Sequence, residues 1–311
     1  MPATERKGKP EWLRVRFPAG ASVDRVRAGA RRLDLHTVCE ESLCPNMGEC
    51  WREGTATFLL LGGVCTRRCR FCAVVTARSP APPDPDEPEK VAAATASLGL
   101  RYVVLTSVDR DDLPDGGAEH FARTVEALKR RDPDLLVELL VPDFRGDSDS
   151  LDRIASCGAD VLGHNLETVE RLTPAVRDPR AGYRQSLEVL AHLKGRAPRG
   201  LTKSGLMLGL GEEEREVLAA LRDLRSRGCD LLTIGQYLQP TRRHLPVAEY
   251  LHPSRFEELG RAADGLGFLH VAAGPLVRSS YRAGELYVRA LLRGSGREGG
   301  GDARDAPARR G

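Results

Sequence analysis

Six short apolar runs constrain the fold of this chain more than any other feature. They occupy residues 57–61, 102–106, 135–141, 160–165, 204–209 and 231–236. A run such as LeuLeuValGluLeuLeuVal barely alternates, so it reads as a strand covered on both faces, as in a parallel sheet. Between the runs lie stretches with helical periodicity, for example Val217, Leu221 and Leu224 on one face. Repeated strand–helix units joined by right-handed crossovers give an α/β fold. Six units are too few to close an eight-unit barrel, and a flavodoxin-like sheet fits the same pattern. The motifs below favour a partial six-unit (β/α) barrel of TIM type. In such a barrel, chemistry gathers at the C-terminal strand ends. Thr106, Ser107, His164, Asn165 and Gln236 fall there, with Glu138 inside the third run and Lys203 just before the fifth.

The remaining composition matters mainly for what it excludes. With 311 residues the chain can bury a core without disulfides. A net charge of +3 does not mark a nucleic-acid binder. No stretch is long and apolar enough for a bilayer span, and the N-terminus has no apolar core of a secretory signal. The expected compartment is the cytoplasm, where thiols stay reduced. Eight cysteines then need a purpose other than pairing, and six of them fall in two tight groups.

Cys65, Cys69 and Cys72 follow the first apolar run. One short loop thus offers three thiolates, the usual ligands of iron–sulfur clusters. Three ligands for a four-iron cubane leave one iron open, and an open position is where a substrate or cofactor binds. Zinc is the alternative, although zinc sites usually pair two such knuckles. Cys39, Cys44 and Cys50, within CEESLCPNMGECW, form a second group read as ligands of a second cluster. It also lacks a fourth cysteine. Cys157 and Cys229 each follow a helical pattern and precede a strand, which suits small buried thiols.

The triplet, with Phe71 just before its last cysteine, resembles the CxxxCxΦC pattern of the radical S-adenosylmethionine superfamily. That resemblance places Phe71 beside the adenine. It implies that the open iron chelates the methionine part of the cofactor and that an electron from the cluster cleaves the sulfonium. The resulting 5′-deoxyadenosyl radical takes a hydrogen atom from an unactivated carbon. Ser107, Glu138, Asn165 and Lys203 are candidate cofactor contacts: Ser107 for the methionine amino group, Glu138 and Asn165 for the ribose or amino group. Lys203, one of only six lysines, is a cation for the carboxylate.

Over roughly residues 10–293 the chain also resembles the lipoyl synthase family. The matching stretches include CPNMGECW (44–51), CTRRCRFCAV (65–74), LTSVDRDDLPDGGAEHF (105–121), HNLETV (164–169), TKSGLMLGLGE (202–212), GQYLQPTRRHLPV (235–247) and GPLVRSSYRAGEL (274–286). The resemblance implies two four-iron, four-sulfur (4Fe-4S) clusters and S-adenosylmethionine (SAM). Ser280, the second serine of RSSY, then completes the auxiliary cluster of Cys39, Cys44 and Cys50. The implied reaction inserts sulfur at C6 and C8 of an octanoyl group carried on a lysine of a lipoyl carrier protein. The implied partners are the glycine cleavage H protein, lipoyl domains of 2-oxoacid dehydrogenases, an electron donor such as ferredoxin or flavodoxin, and a cluster-assembly carrier. Neither nucleic acid nor membrane is implied, and the expected state is a monomer. The expected organisation is an N-terminal extension (1–53), the barrel (54–273), a C-terminal segment with RSSY (274–293) and a disordered tail (294–311). A methylthiotransferase, a biotin synthase-like enzyme and a zinc-stabilised binding module are the rival readings.

Overall fold

The computed structural model describes residues 8–14, 21–41, 46–52 and 55–280. Cys44 and the expected tail lie outside the described residues. The strands are β1 (His36–Thr37), β2 (Thr55–Leu60), β3 (Val64–Cys65), β4 (Val75–Thr76), β5 (Tyr102–Ser107), β6 (Leu136–Leu140), β7 (Val161–Gly163), β8 (Leu201–Leu208), β9 (Leu231–Gln236) and β10 (His270–Gly274). The helices are α1 (Ala21–Arg32), α2 (Val38–Glu41), α3 (Met47–Arg52), α4 (Glu87–Leu98), α5 (Ala118–Arg131), α6 (Ser148–Ala155), α7 (Thr173–Val176), α8 (Tyr183–Arg196), α9 (Glu214–Ser226) and α10 (Pro253–Gly265). Eight strands form one sheet in the order β1-β2-β5-β6-β7-β8-β9-β10, while β3 and β4 pair separately. Every neighbour in the large sheet is parallel except β1, which runs antiparallel to β2.

All six expected strands are present, and the architecture is a partial TIM-type barrel. A seventh parallel strand, β10, extends it. Its five residues are all half-buried, so the sequence HisValAlaAlaGly carries no continuous apolar run. The strand β8 starts earlier than expected, at Leu201, because its polar residues Thr202, Lys203 and Ser204 are buried. Glu87 and Pro88 open α4, where a proline lacking its N–H is tolerated.

Tyr102, Val104, Leu136, Val161, Leu201 and Leu231 cluster inside the barrel. Most are the first residue of their strand, so they seal its N-terminal end. Two larger cores pack the helices onto the outside of the sheet. The end strands β1 and β10 do not pair with each other, which leaves the barrel open between them. A hydrogen bond spans the N- and C-terminal flanks of this opening: Asn46 Nδ2, just before α3, donates to Leu276 O, just after β10, at 2.6 Å.

Candidate active site

The chain leaves β2 through a left-handed residue, Leu61, with φ 67°. Side chains avoid this backbone, and three residues hold it. Leu61 N donates to Glu87 Oε2 at 2.9 Å, Arg110 Nη1 donates to Leu61 O at 3.2 Å, and His120 braces Glu87 at 2.6 Å. The exit aims the following loop, with Cys65, Cys69 and Cys72, across the C-terminal ends of the strands.

Arg67 anchors that loop. Its buried guanidinium donates to Asp111 at 2.8 and 2.9 Å and twice to Asp143 at 2.7 Å. A planar fork between two carboxylates fixes orientation as well as charge. Asp111 follows β5 and Asp143 follows β6, so one arginine ties the loop to two strand ends. Backbone bonds complete the frame: Arg68 N to Asp178 Oδ2 at 2.9 Å, Arg70 N to Val176 O at 2.9 Å and Leu245 N to Arg70 O at 3.1 Å. His244 Nε2 also lies 2.8 Å from Cys72 O.

The sulfurs are dressed by backbone amides. Cys65 Sγ accepts from Arg67 N at 3.4 Å and Asp109 N at 3.3 Å, and Cys69 Sγ accepts from Asp178 N at 3.4 Å. Cys72 has the Val74 amide beside it. Such bonds tune a cluster held by thiolates. Burial pushes the Cys65 and Cys69 thiols up to about 12 and raises Cys72 as well. At neutral pH they therefore give up their protons only to a metal. Among the described residues, no three His, Cys, Asp or Glu side chains converge on a point where one ion would sit.

The three cysteines and Phe71 line one wall of a cavity of about 270 Å³. Ser107 and Asn165, at the ends of β5 and β7, line it too. Glu138 and Lys203 do not. Lys203 Nζ donates to both Glu138 oxygens, at 2.8 and 2.9 Å, and the Tyr102 hydroxyl donates to the same carboxylate. Because β8 begins at Leu201, Lys203 is an interior strand residue, and a charge buried there needs a partner. Its cation is already committed. Neither Glu138 nor Lys203 lines the cavity that the thiols share with Ser107 and Asn165.

Two cavity residues were not singled out from the sequence. Glu167 sits at φ 70°, and burial pushes its carboxyl up. Asn165 Nδ2 donates to it at 3.1 Å and to Ser279 Oγ at 2.7 Å. Arg177 is buried, donating through Nη1 to Ser186 Oγ at 2.7 Å. Its Nε has no hydrogen-bond partner among the described residues, and neither does Ser107 Oγ. Buried polar atoms are rarely left so. In an arginine-rich sequence, nothing distinguished Arg177 from its neighbours.

Comparison with known proteins gives the family. The sequence pattern of the Radical SAM superfamily matches residues 59–224, and that of the N-terminal domain of lipoyl synthase of the Radical SAM family matches residues 1–44. Lipoyl synthase of Thermus thermophilus is 56% identical over 287 residues, covering 92% of this chain and 89% of its own. That of Anaeromyxobacter is 57% identical over 284 residues, covering 91% and 96%. The chain belongs to the lipoyl synthase family. A chloroplastic lipoyl synthase of Arabidopsis thaliana is 54% identical over 292 residues, covering 92% of this chain and 74% of its own. Among solved structures, methylornithine synthase superposes with a TM-score of 0.53 at 14% identity, over 91% of this chain and 89% of that one. Streptococcus suis SuiB bound to its precursor peptide gives 0.55 at 8% identity, over 81% and 52%. At such identities these two support the fold alone.

A lipoyl synthase is a sulfur-inserting radical SAM enzyme, and its superfamily works with a 4Fe-4S cluster and SAM. The cavity fits both. Three amide-dressed thiols from one loop match a cluster with one open iron, and the orphaned Ser107 hydroxyl and Arg177 N–H suit the ammonium and carboxylate of a methionine. The second lipoyl synthase cysteine group is only partly described. Cys39 lies on α2, and Cys50 is buried on α3. Ser280 is half-buried at the end of a turn that starts beside Leu276. The Asn46–Leu276 bond therefore brings the start of α3, the helix that carries Cys50, next to the segment that leads to Ser280. Cys157 and Cys229 are buried thiols, as expected.

Proposed function

We propose that the two thiol groups divide the lipoyl synthase reaction between them. That reaction inserts two sulfur atoms, at C6 and C8 of an octanoyl group on a carrier-protein lysine. In this reading Cys65, Cys69 and Cys72 hold the cluster that, once reduced, supplies the electron that cleaves SAM for hydrogen-atom abstraction. Cys39, Cys44, Cys50 and Ser280 hold an auxiliary 4Fe-4S cluster that gives up its sulfur as substrate. Arg177 binds the methionine carboxylate and Ser107 its ammonium group. Phe71 packs at the adenine, and Asn165 offers its Oδ1 to the ribose or amino group, because both its N–H donors are spent on Glu167 and Ser279. The Glu138–Lys203–Tyr102 network fills the barrel below the cavity with paired charge, keeping water from the reacting chain from that side.

The observation that carries this reading is the meeting of three thiols with two orphaned polar groups in one cavity. The octanoyl group arrives on the glycine cleavage H protein or on lipoyl domains of 2-oxoacid dehydrogenases. Ferredoxin or flavodoxin supplies electrons, and a cluster-assembly carrier rebuilds the consumed cluster. Reduced thiols suit the cytoplasm, although relatives named chloroplastic and mitochondrial exist. Among the described residues no helix is long and apolar enough to cross a membrane. The test is to build the auxiliary cluster with heavy-isotope sulfide, run one turnover on octanoylated H protein and weigh the lipoyl product. Both sulfurs should carry the label; product without it would overturn the assignment of the donor.

A further inference from the structure

The cluster loop has two sides with different chemistry. Cys65, Arg67, Cys69 and Phe71 line the cavity, whereas Arg68 and Arg70, which alternate with them, are exposed and do not. Two other segments are bonded to the loop. Arg70 Nη1 donates to Ala175 O at 3.1 Å, and Arg70 N donates to Val176 O at 2.9 Å. On the other flank, Leu245 N donates to Arg70 O, and His244 Nε2 meets Cys72 O. These segments expose Arg180, Arg242 and Arg243. Across residues 66–72, 175–180 and 241–245 the one acid is Asp178, which is buried and committed to Arg68 N and Arg180. Arg180 is neutralised by Asp178 and Asp111. Arg68, Arg70, Arg242 and Arg243 have no carboxylate partner among the described residues. In a chain of net charge +3, this is a local concentration of exposed, unpaired cation. Beyond the loop, in β4, Val75 is 63% exposed.

The loop itself separates this basic face from the cavity. A substrate chain must enter the cavity, so it gains nothing by docking behind the wall. An electron needs only close approach to the cluster, and Cys69 lies between the exposed Arg68 and Arg70. We propose that this face docks an acidic one-electron carrier protein of the flavodoxin or ferredoxin kind, which reduces the cluster through the loop. The proposal rests on the assignment of Cys65, Cys69 and Cys72 to that cluster. With flavodoxin, the flavin hydroquinone anion becomes the neutral semiquinone, one electron passes to the cluster and no proton moves. Opposite charges steer the encounter and raise the association rate, an effect that salt screens.

The test uses the fully reconstituted enzyme and follows cluster reduction by stopped-flow absorbance, with flavodoxin hydroquinone or dithionite as reductant. In Arg68→Glu/Arg242→Glu/Arg243→Glu, reduction by flavodoxin should slow about tenfold or more at low salt and lose most of its salt dependence. Reduction by dithionite, and the iron and sulfide content, should be unchanged. The milder Arg68→Gln/Arg242→Gln/Arg243→Gln variant should show a smaller loss in the same direction, which keeps the test decisive if charge reversal disturbs the loop. An unchanged flavodoxin rate in both variants overturns the proposal. So does a rise in KM for octanoylated carrier in dithionite-driven turnover with flavodoxin reduction intact, which would give the face to the carrier instead. Failure of the cluster assignment would show elsewhere, as a wild-type cluster whose reduced spectrum ignores SAM.

Discussion

Arg67 shows how much of a thiol loop can rest on a residue that carries no thiol. Its side chain is 3% exposed, that of Asp143 is fully buried, and that of Asp111 is 13% exposed. Arg67→Met would strand two carboxylates, and removing one partner of a buried pair costs roughly 3–5 kcal/mol. Anaerobic apoprotein of this variant should melt well below wild type and take up less iron at the Cys65–Cys72 loop. Arg67→Lys keeps the charge but not the fork, so it should fall in between. Equal melting points for all three would remove Arg67 as the anchor. Ser107 makes a cleaner probe, since its hydroxyl bonds to nothing among the described residues. If it meets the SAM ammonium, Ser107→Ala forfeits a hydrogen bond to a charged group, worth about 1.5 kcal/mol or roughly tenfold in Kd. Equilibrium dialysis of SAM, with iron content unchanged, checks this.

At the scale of elements, the sequence announced whatever is local. Six apolar runs became six parallel strands, and the spacing of Cys65, Cys69 and Cys72 announced three thiols on one loop lining one cavity. What depends on distant partners was not readable. Arg67 finds Asp111 and Asp143 at separations of 44 and 76 residues, and no local pattern marks it among many arginines. Lys203 finds Glu138 across 65 residues, and with the start of β8 placed too late nothing local showed that it is an interior strand residue. The strand β10 escaped notice because alanine and glycine replace bulky apolar residues there, and its neighbour β9 carries a glycine for the same reason. The C-terminal turn crosses so close that a Cβ on Gly235 would fall 2.1 Å from Val277 O, and one on Gly205 would fall 3.2 Å from Ser279 Oγ. Gly235→Ala should therefore leave the barrel folded but push the turn carrying Ser279 and Ser280 aside. With Ser280 as the proposed ligand of an auxiliary cluster, the expected result is loss of near half the total iron, with SAM cleavage retained. Full iron content in Gly235→Ala would show that the turn's position does not govern that cluster.

Over the whole molecule, the buried end of β7 couples stability to pH. His164 is buried where strand ends and helix meet, with Nδ1 2.9 Å from Val141 O and Nε2 2.9 Å from Ser186 Oγ. Val141 O can only accept, so Nδ1 carries the proton and Nε2 accepts from the serine: the ring is built in neutral. Desolvation by burial, then the Arg177 charge, holds its pKa down at about 4 against an ordinary 6.5. The sign follows from where protons bind. Above pH 6.5 neither folded nor unfolded chain protonates this ring, and its contribution is fully present. Between about 6.5 and about 4 the unfolded chain takes a proton that the fold refuses, so stability falls as pH falls, by on the order of 3 kcal/mol across the window. Anaerobic apoprotein is the right sample, since acid also attacks bound clusters. Its urea midpoint should drop steadily from pH 7 to pH 4.5, and His164→Gln should flatten that slope by about one proton even if it is less stable overall. Parallel slopes for wild type and variant would mean that the ring titrates alike in both states and that the acid sensitivity arises elsewhere.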